Sequence, residues 1–276
     1  AVKTRREMIV LTDTSVHSMQ FIGPPFTFGI NQLASNITVR GFNTAVAVGD
    51  AVFWMGYDRF YVYDGRVQVI PCSVRDHVFQ NFNETQSDKV YAGVNSAFGE
   101  VFWFYPSQSS ANNDKYVVYN YDQKIWYVGN LARSSWIDRG VYQYPMATDS
   151  NLVYNHEKGN DNDGTAFTSF IESSPIDVQD GDQFVFLRRM IPDVSFDNSD
   201  SDISNDNKQA VFSLKAQRSP GGGFIKTSTN TVSSTTELNH LRLRGRSFGL
   251  RVESTTEKVN WRLGTVRVDL RADGDR

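Results

Sequence analysis

The sequence predicts an all-β fold in which propeller-like repeated blades, over residues 1–164, precede an antiparallel β-sandwich domain over residues 165–276. Three observations predict it. The chain carries 12 Tyr, 19 Phe and 5 Trp, a composition suited to short, well-packed strands. Long segments rich in Ala, Leu, Glu and Lys with a helical period are almost absent. Finally, an aromatic strand pattern recurs: Val52-Phe53-Trp54 followed by Tyr61-Val62-Tyr63, and then Val101-Phe102-Trp103 followed by Tyr116-Val117-Val118-Tyr119.

The chain enters a strand-like run, Met8-Ile9-Val10-Leu11, almost at once. Two prolines and two glycines then fix the backbone of the loop Gly23-Pro24-Pro25-Phe26-Thr27-Phe28-Gly29, whose phenylalanines are expected to anchor packing. In Val52–Arg66 both faces of each short strand are apolar or aromatic, so each strand needs a sheet packed over either side. Tyr57-Asp58-Arg59 and Asp64-Gly65 supply its turns. Trp54 and Tyr61 are accordingly expected to be buried packing residues without a ligand.

One short helix is predicted near 74–81. Ser73 and Asp76 form an S-x-x-D capping box, and Val74, Val78 and Phe82 share one helical face. Starts at Met8, Val52, Val101 and Leu152 line up at intervals of about 43 to 51 residues, within the range of propeller blades. Regular turns in any all-β chain would give a similar spacing, but the paired elements recur in the same order. WD and kelch patterns do not accompany them.

A polar turn cluster, Gly159-Asn160-Asp161-Asn162-Asp163-Gly164, marks the domain boundary. Strand runs follow at 184–190, 210–218, 240–246, 248–253 and 261–270, with long polar loops at 196–208 and 219–234.

Charge and composition narrow the function. Lys plus Arg number 28 against 31 Asp plus Glu, so nucleic-acid attraction, if any, must be local. The single cysteine, Cys72, excludes an internal disulfide framework, and no zinc-ligand spacing appears. No apolar run approaches the roughly 18 to 20 residues of a membrane span, and the expectation is a soluble chain assembled inside a cell. The start at Ala1, running directly into a strand, suggests a portion of a longer protein.

Catalytic patterns are wanting. Asp193, Asp197, Asp200, Asp202 and Asp206 lack EF-hand spacing and read as a solvated loop, and Asp161/Asp163/Gly164 imitates a calcium loop more weakly still. His156-Glu157 does not continue to H-E-x-x-H, and no G-x-S-x-G is present. His17, His77, His156 and His240 read as surface or packed residues, and a glycosidase carboxylate pair cannot be nominated. No enzyme, cofactor or metal site is therefore expected.

The clearest charge pattern is Arg242, Arg244 and Arg246, with His240, alternating with Leu241, Leu243 and Gly245. On a strand this places the guanidinium groups on one face. They could meet a neighbouring subunit's carboxylates or DNA phosphates, or form a solvated outer face paired with local Asp and Glu, the commoner arrangement.

The chain also resembles the tail hub or nozzle proteins of short-tailed bacteriophages (podoviruses), including the packaged-DNA-stabilisation proteins. The resemblance is carried by Ser18-Met19-Gln20-Phe21-Ile22-Gly23-Pro24-Pro25-Phe26, Ala51-Val52-Phe53-Trp54-Met55-Gly56, Phe60-Tyr61-Val62-Tyr63-Asp64-Gly65-Arg66 and Pro71-Cys72-Ser73-Val74-Arg75-Asp76. Tyr154-Asn155-His156-Glu157-Lys158-Gly159 with Asp163-Gly164, and Trp261-Arg262-Leu263-Gly264, extend it. It implies a structural virion protein without enzymatic activity, assembled in the bacterial host cytoplasm. Copies would form a ring, expected to be a hexamer, around the DNA exit channel. The implied partners are portal or tail adaptor proteins, tail fibre or tip proteins, and phage DNA in transit. Because arginines would retain passing DNA, the channel wall is expected to be mixed or acidic, with the arginine ladder kept for protein contacts. The alternative is a glycan-binding or glycan-cleaving propeller of the tailspike or sialidase kind. Against it, no S-x-D-x-G-x-T-W box occurs; Trp136 is the candidate sugar platform.

Overall fold

The computed structural model describes residues 1–178, 180–219 and 221–274. Nearly all of their regular structure is antiparallel β-sheet. Contacts divide the chain into two compact units, Ala1–Lys158 and the part from Gly159 onward; the turn cluster in the sequence runs from Gly159 to Gly164.

The first unit is a succession of small meanders in chain order. Sheet 1 holds β1 (Val2–Lys3), β2 (Met8–Leu11), β3 (Ser15–Gly23) and β4 (Thr27–Ser35). Sheet 2 holds β5 (Ala45–Val48), β6 (Ala51–Met55), β7 (Phe60–Tyr63) and β8 (Val67–Ile70). After α1 (Arg75–Phe79), sheet 3 holds β9 (Tyr91–Asn95), β10 (Glu100–Tyr105), β11 (Lys115–Asn120) and β12 (Ile125–Asn130). Sheet 4 holds β13 (Ser135–Ile137), β14 (Met146–Asp149) and β15 (Leu152–Asn155). The first strands lie side by side, β1 against β5, β5 against β9 and β9 against β13.

Alternation explains why sheets 2 and 3 are apolar on both sides. Val52 and Trp54 point to sheet 1, where they join Ile9 and Val16, while Phe53 and Met55 join Val101, Trp103 and Tyr105 between sheets 2 and 3. On β10 the intervening Phe102 and Phe104 turn the other way and pack with Trp136 and Ala147 of sheet 4. Trp54 and Trp103 are wholly buried, and Trp54 stacks on Tyr61 at 5.3 Å between ring centroids. Gly65, at φ 104°, closes the β7–β8 hairpin in a conformation that side chains resist.

Four expectations for this unit need correction. Leu152–Tyr154 occupies the third strand of its sheet, whereas Met8, Val52 and Val101 lie in second strands, so the fourth repeat is displaced by one strand. Ser73 does not cap α1: the N-cap is Val74, without a side-chain hydrogen bond, and the helix has a single turn. Of the predicted face, Val78 is buried on the helix, whereas Phe82 is buried beyond its end, in a bridge to Ser107. A second helical piece, a 3-10 turn over Glu84–Lys89, was not anticipated; Asn83 caps it by accepting from the Thr85 backbone N–H. Finally, Phe26 and Phe28 anchor no core, being 77% and 55% exposed at the end of the β3–β4 hairpin.

The second unit is a sandwich. One sheet runs β16 (Ser169–Glu172), β23 (Ser247–Ser254), β20 (Gln209–Gln217), β21 (Phe224–Ser233), with β17 (Ile176–Asp177) also on β23. The other runs β22 (Asn239–Gly245), β18 (Val185–Ile191), β25 (Arg267–Ala272), and β19 (Val194–Ser195) pairs with β24 (Arg262–Leu263). Val185, Leu187, Met190, Leu241 and Leu243 of one sheet meet Ala210, Phe212, Leu214, Ala216 and Val252 of the other. Each large apolar side chain buried there contributes about 1.5–3 kcal/mol.

Here too the sequence misleads twice. The supposed loop 219–234 contains the ten-residue strand β21, hidden because its Thr, Ser and Asn lie on an edge strand with little apolar demand. The run 261–270 is two strands, separated where Gly264 passes so close to Asp193 that a Cβ would lie 2.5 Å from its carboxyl carbon.

Candidate functional site

Of the predicted arginine ladder, Arg242 and Arg244 lie on β22, and Arg246 lies just past its end. Leu241 and Leu243 are buried in the sandwich core, and Gly245 is confined, since a Cβ there would meet the Gln217 carbonyl oxygen at 2.8 Å. Arg242 and Arg244 therefore emerge on the outer face. Arg244 pairs with Asp273 and lies 4.1 Å from the Phe184 ring, and Arg246 lies 4.8 Å from the same ring. Arg242 is exposed, as is His240.

Register brings further arginines to this face, which linear spacing could not reveal. Arg244, Phe186 and Arg271 form one cross-strand row, and His240, Arg189 and Asp269 another. A bulge between Leu187 and Arg189 lets Arg188 and Arg189 both reach solvent.

The aspartates of the acidic segment serve separate local contacts. Asp193 accepts from the Thr265 N–H at 2.9 Å, Asp200 from Asn160 at 2.7 Å, and Asp202 pairs with Lys258 at 2.6 Å. Asp161 accepts from the Gly164 N–H. Among the described residues, no group of three or more His, Cys, Asp or Glu converges as metal ligands would.

The histidines are dispersed. His156 accepts from Arg133 Nε at 2.9 Å, and burial, then the guanidinium, pushes its pKa down to about 4. It is thereby fixed as a neutral acceptor. Trp136 is 6% exposed, stacks on Phe102 at 5.1 Å and donates to the Val94 carbonyl at 2.8 Å, so its ring is unavailable as a sugar platform. Cys72 lines a shallow depression with Pro71, Ser73, Lys124, Ile125 and Trp126, but burial pushes its thiol up to about 11, which disfavours a thiolate.

Two polar joints link the meanders. Glu7 accepts from Ser18, from Gln20 at 2.9 Å and from the Tyr63 hydroxyl at 2.7 Å, tying sheet 1 to sheet 2. Burial raises its pKa, but these hydrogen bonds together outweigh it and hold the carboxyl below its usual range. Between sheets 3 and 4 the sign reverses. Glu100 accepts from the Tyr127 hydroxyl at 2.7 Å and Glu157 from Asn95 at 3.1 Å; burial raises both carboxyls, and Glu157 raises Glu100 further. Glu100 and Tyr127 both belong to sheet 3, so the bond that reaches across from sheet 3 is Asn95 to Glu157, just after β15.

Exposed apolar side chains occur at both ends of the meander succession, as well as on loops and on the second unit. On sheet 1, Met8, Met19 and Ile30 form a cross-strand row, with Phe21 and Phe28 as the next outward pair. Ile30 and Phe21 are 66% and 70% exposed. On sheet 4, Ile137 and Val153 are more than half exposed on the face opposite Trp136 and Ala147.

No protein-family model matches the chain, and no curated protein matches it.

Proposed function

We propose that this protein is a structural component of the virion of a short-tailed phage, forming part of a ring-shaped tail hub or nozzle around the DNA exit channel. One observation carries the reading beyond the sequence resemblance: the meanders pack one on the next, while the outer face of sheet 1 remains apolar and exposed and that of sheet 4 exposes Ile137 and Val153 among polar residues. In sheets 2 and 3 such faces are covered by the next meander. Further blades, or a neighbouring copy joined head to tail, would cover the end faces in the same way. A head-to-tail contact whose rotation closes generates a ring. Portal or adaptor proteins, fibre or tip proteins, and DNA in transit are the partners in this proposal.

Imaging of intact virions tests it by locating the chain along the tail axis. The expected result is density in a ring at the tail, with the sheet 1 face covered. Failure of the full-length protein to enter any portal or tail complex would sink the reading. Ile30→Glu is expected to block ring formation while leaving the purified subunit folded, as judged by an unchanged thermal melt.

A further inference from the structure

We propose that the outer face of the β22–β18–β25 sheet binds the phosphate backbone of nucleic acid, independently of the virion reading. Arg188 and Arg189 come from β18, Arg242 and Arg244 from β22, and Arg267 and Arg271 from β25. None of these three strands contains a lysine or a glutamate, although the chain as a whole carries a net charge of −3. The positive charge is therefore local and made of arginine, the side chain whose fork fits phosphate oxygens, with Asp269 the acidic residue on these strands.

Pairing leaves much of this charge unspent. Arg189 bridges Asp269 at 3.0 Å, Arg244 pairs with Asp273, and Arg267 approaches Asp193 at 3.9 Å. Arg188, Arg242 and Arg271 are exposed and form no ion pair with any described residue. Three strands about 4.8 Å apart, of seven, seven and six residues, give a platform of about 10 by 20 Å, enough for several phosphates rather than one carboxylate.

The chemistry favours nucleic acid over an acidic protein. Protein interfaces have a core depleted of charge, whereas nucleic-acid interfaces are polar and strongly positive. On this face only Phe186 and Ile191 are apolar, and both lie on the central strand among arginines. The alternation on β22 alone fits a solvated face; the seven-residue β18, with its bulge, and β25 convert it into a two-dimensional array.

The test is fluorescence anisotropy of a labelled 20-base-pair duplex of mixed sequence with the whole chain, from about 25 to 200 mM NaCl. About four phosphate contacts predict a slope of log K against log salt near −3.6, at roughly 0.9 per phosphate. Arg188→Glu, Arg242→Glu and Arg271→Glu together should weaken binding at least tenfold and flatten the slope by about 2.7, three times that value. The corresponding lysine exchanges should retain most of the binding. If the triple glutamate variant fails to fold, Arg242→Glu alone should flatten the slope by about 0.9. The proposal is overturned by absence of binding at 25 mM salt, or by binding that these variants leave unchanged. Polyglutamate of equal charge binding as tightly as the duplex would also overturn it, marking an acidic-protein surface instead.

Discussion

The two units solve the same problem, covering the faces of antiparallel sheets, with different side chains. In the first, sheets 2 and 3 bury both faces, and the joints are aromatic: Phe60 lies 4.8 Å from Trp103 and 4.6 Å from Trp126, and Phe102 stacks on Trp136. In the second, each principal sheet buries one face in a mainly aliphatic core and turns charge outward. Lys215, Arg251, Glu172 and Glu253 form one such outer network. A sheet buried on both sides needs side chains that fill wide gaps and still bring a polar edge to satisfy; a sandwich face needs only bulk.

The sharpest way to break this contrast is to truncate one residue of each kind. Trp103→Ala should cost about 3–5 kcal/mol, and Leu187→Ala about 3 kcal/mol, each read as a shifted denaturant midpoint. Limited proteolysis should assign the Trp103 loss to Ala1–Lys158 and the Leu187 loss to the sandwich. Equal losses in both units from either change would dissolve the distinction. Next in size is Gly93→Ala, whose Cβ would meet the Trp136 ring at 2.5 Å; a cost of about 1–3 kcal/mol is expected from overpacking. Arg251→Ala removes bonds to Glu172 and Glu253 on the outer sandwich face. Because that network is partly solvated, the change should stay within about 1 kcal/mol, and a larger loss in a urea melt would show the outer face to be as structural as the core.

The smallest effect is one of sign with pH. The folded Glu100 and Glu157 carboxyls are raised above the ordinary 4.5, chiefly by burial, so the folded chain keeps protons that the unfolded chain has released. Stability therefore falls as pH rises from 4.5 through the raised folded values. Glu7 acts oppositely: its folded pKa is lowered, so its contribution is present above 4.5 and is lost as pH falls through the folded value. Thermal melts between pH 3 and 8 should show Glu100→Gln reducing the decline toward neutrality, and Glu7→Gln reducing the decline toward acid. If both exchanges altered the same limb of the profile, the assignment of opposite signs to the two joints would fail.

Much of this fold was legible because burial on two faces writes an unbroken aromatic run, as at Val52–Met55 and Val101–Tyr105. The sandwich strands β18, β20, β22 and β23 were legible through alternation. What escaped was set by partners rather than by local pattern. Strand β21 is polar because it lies on an edge, and Ser73 satisfies the form of a cap while the chain enters the helix one residue later. The arginine face was only one-third readable: Arg242 and Arg244 alternate in sequence, but Arg188 and Arg189 join them through a bulge, and Arg267 and Arg271 through pairing across 80 residues or so. The phenylalanines near Gly23 misled because a rigid apolar loop reads alike whether it is packed inside or presented outward.

The indole donors at the sheet joints have a consequence for how such a sequence can drift. Trp54 donates to the Thr38 carbonyl, Trp103 to that of Thr44, Trp126 to that of Pro71 and Trp136 to that of Val94. Every acceptor is a main-chain oxygen, which all residue types possess. One partner in each joint is thus indifferent to mutation. A lineage could rewrite the accepting segments almost freely while keeping four tryptophans, and its members would preserve the same stacked meanders with little left in common on the page.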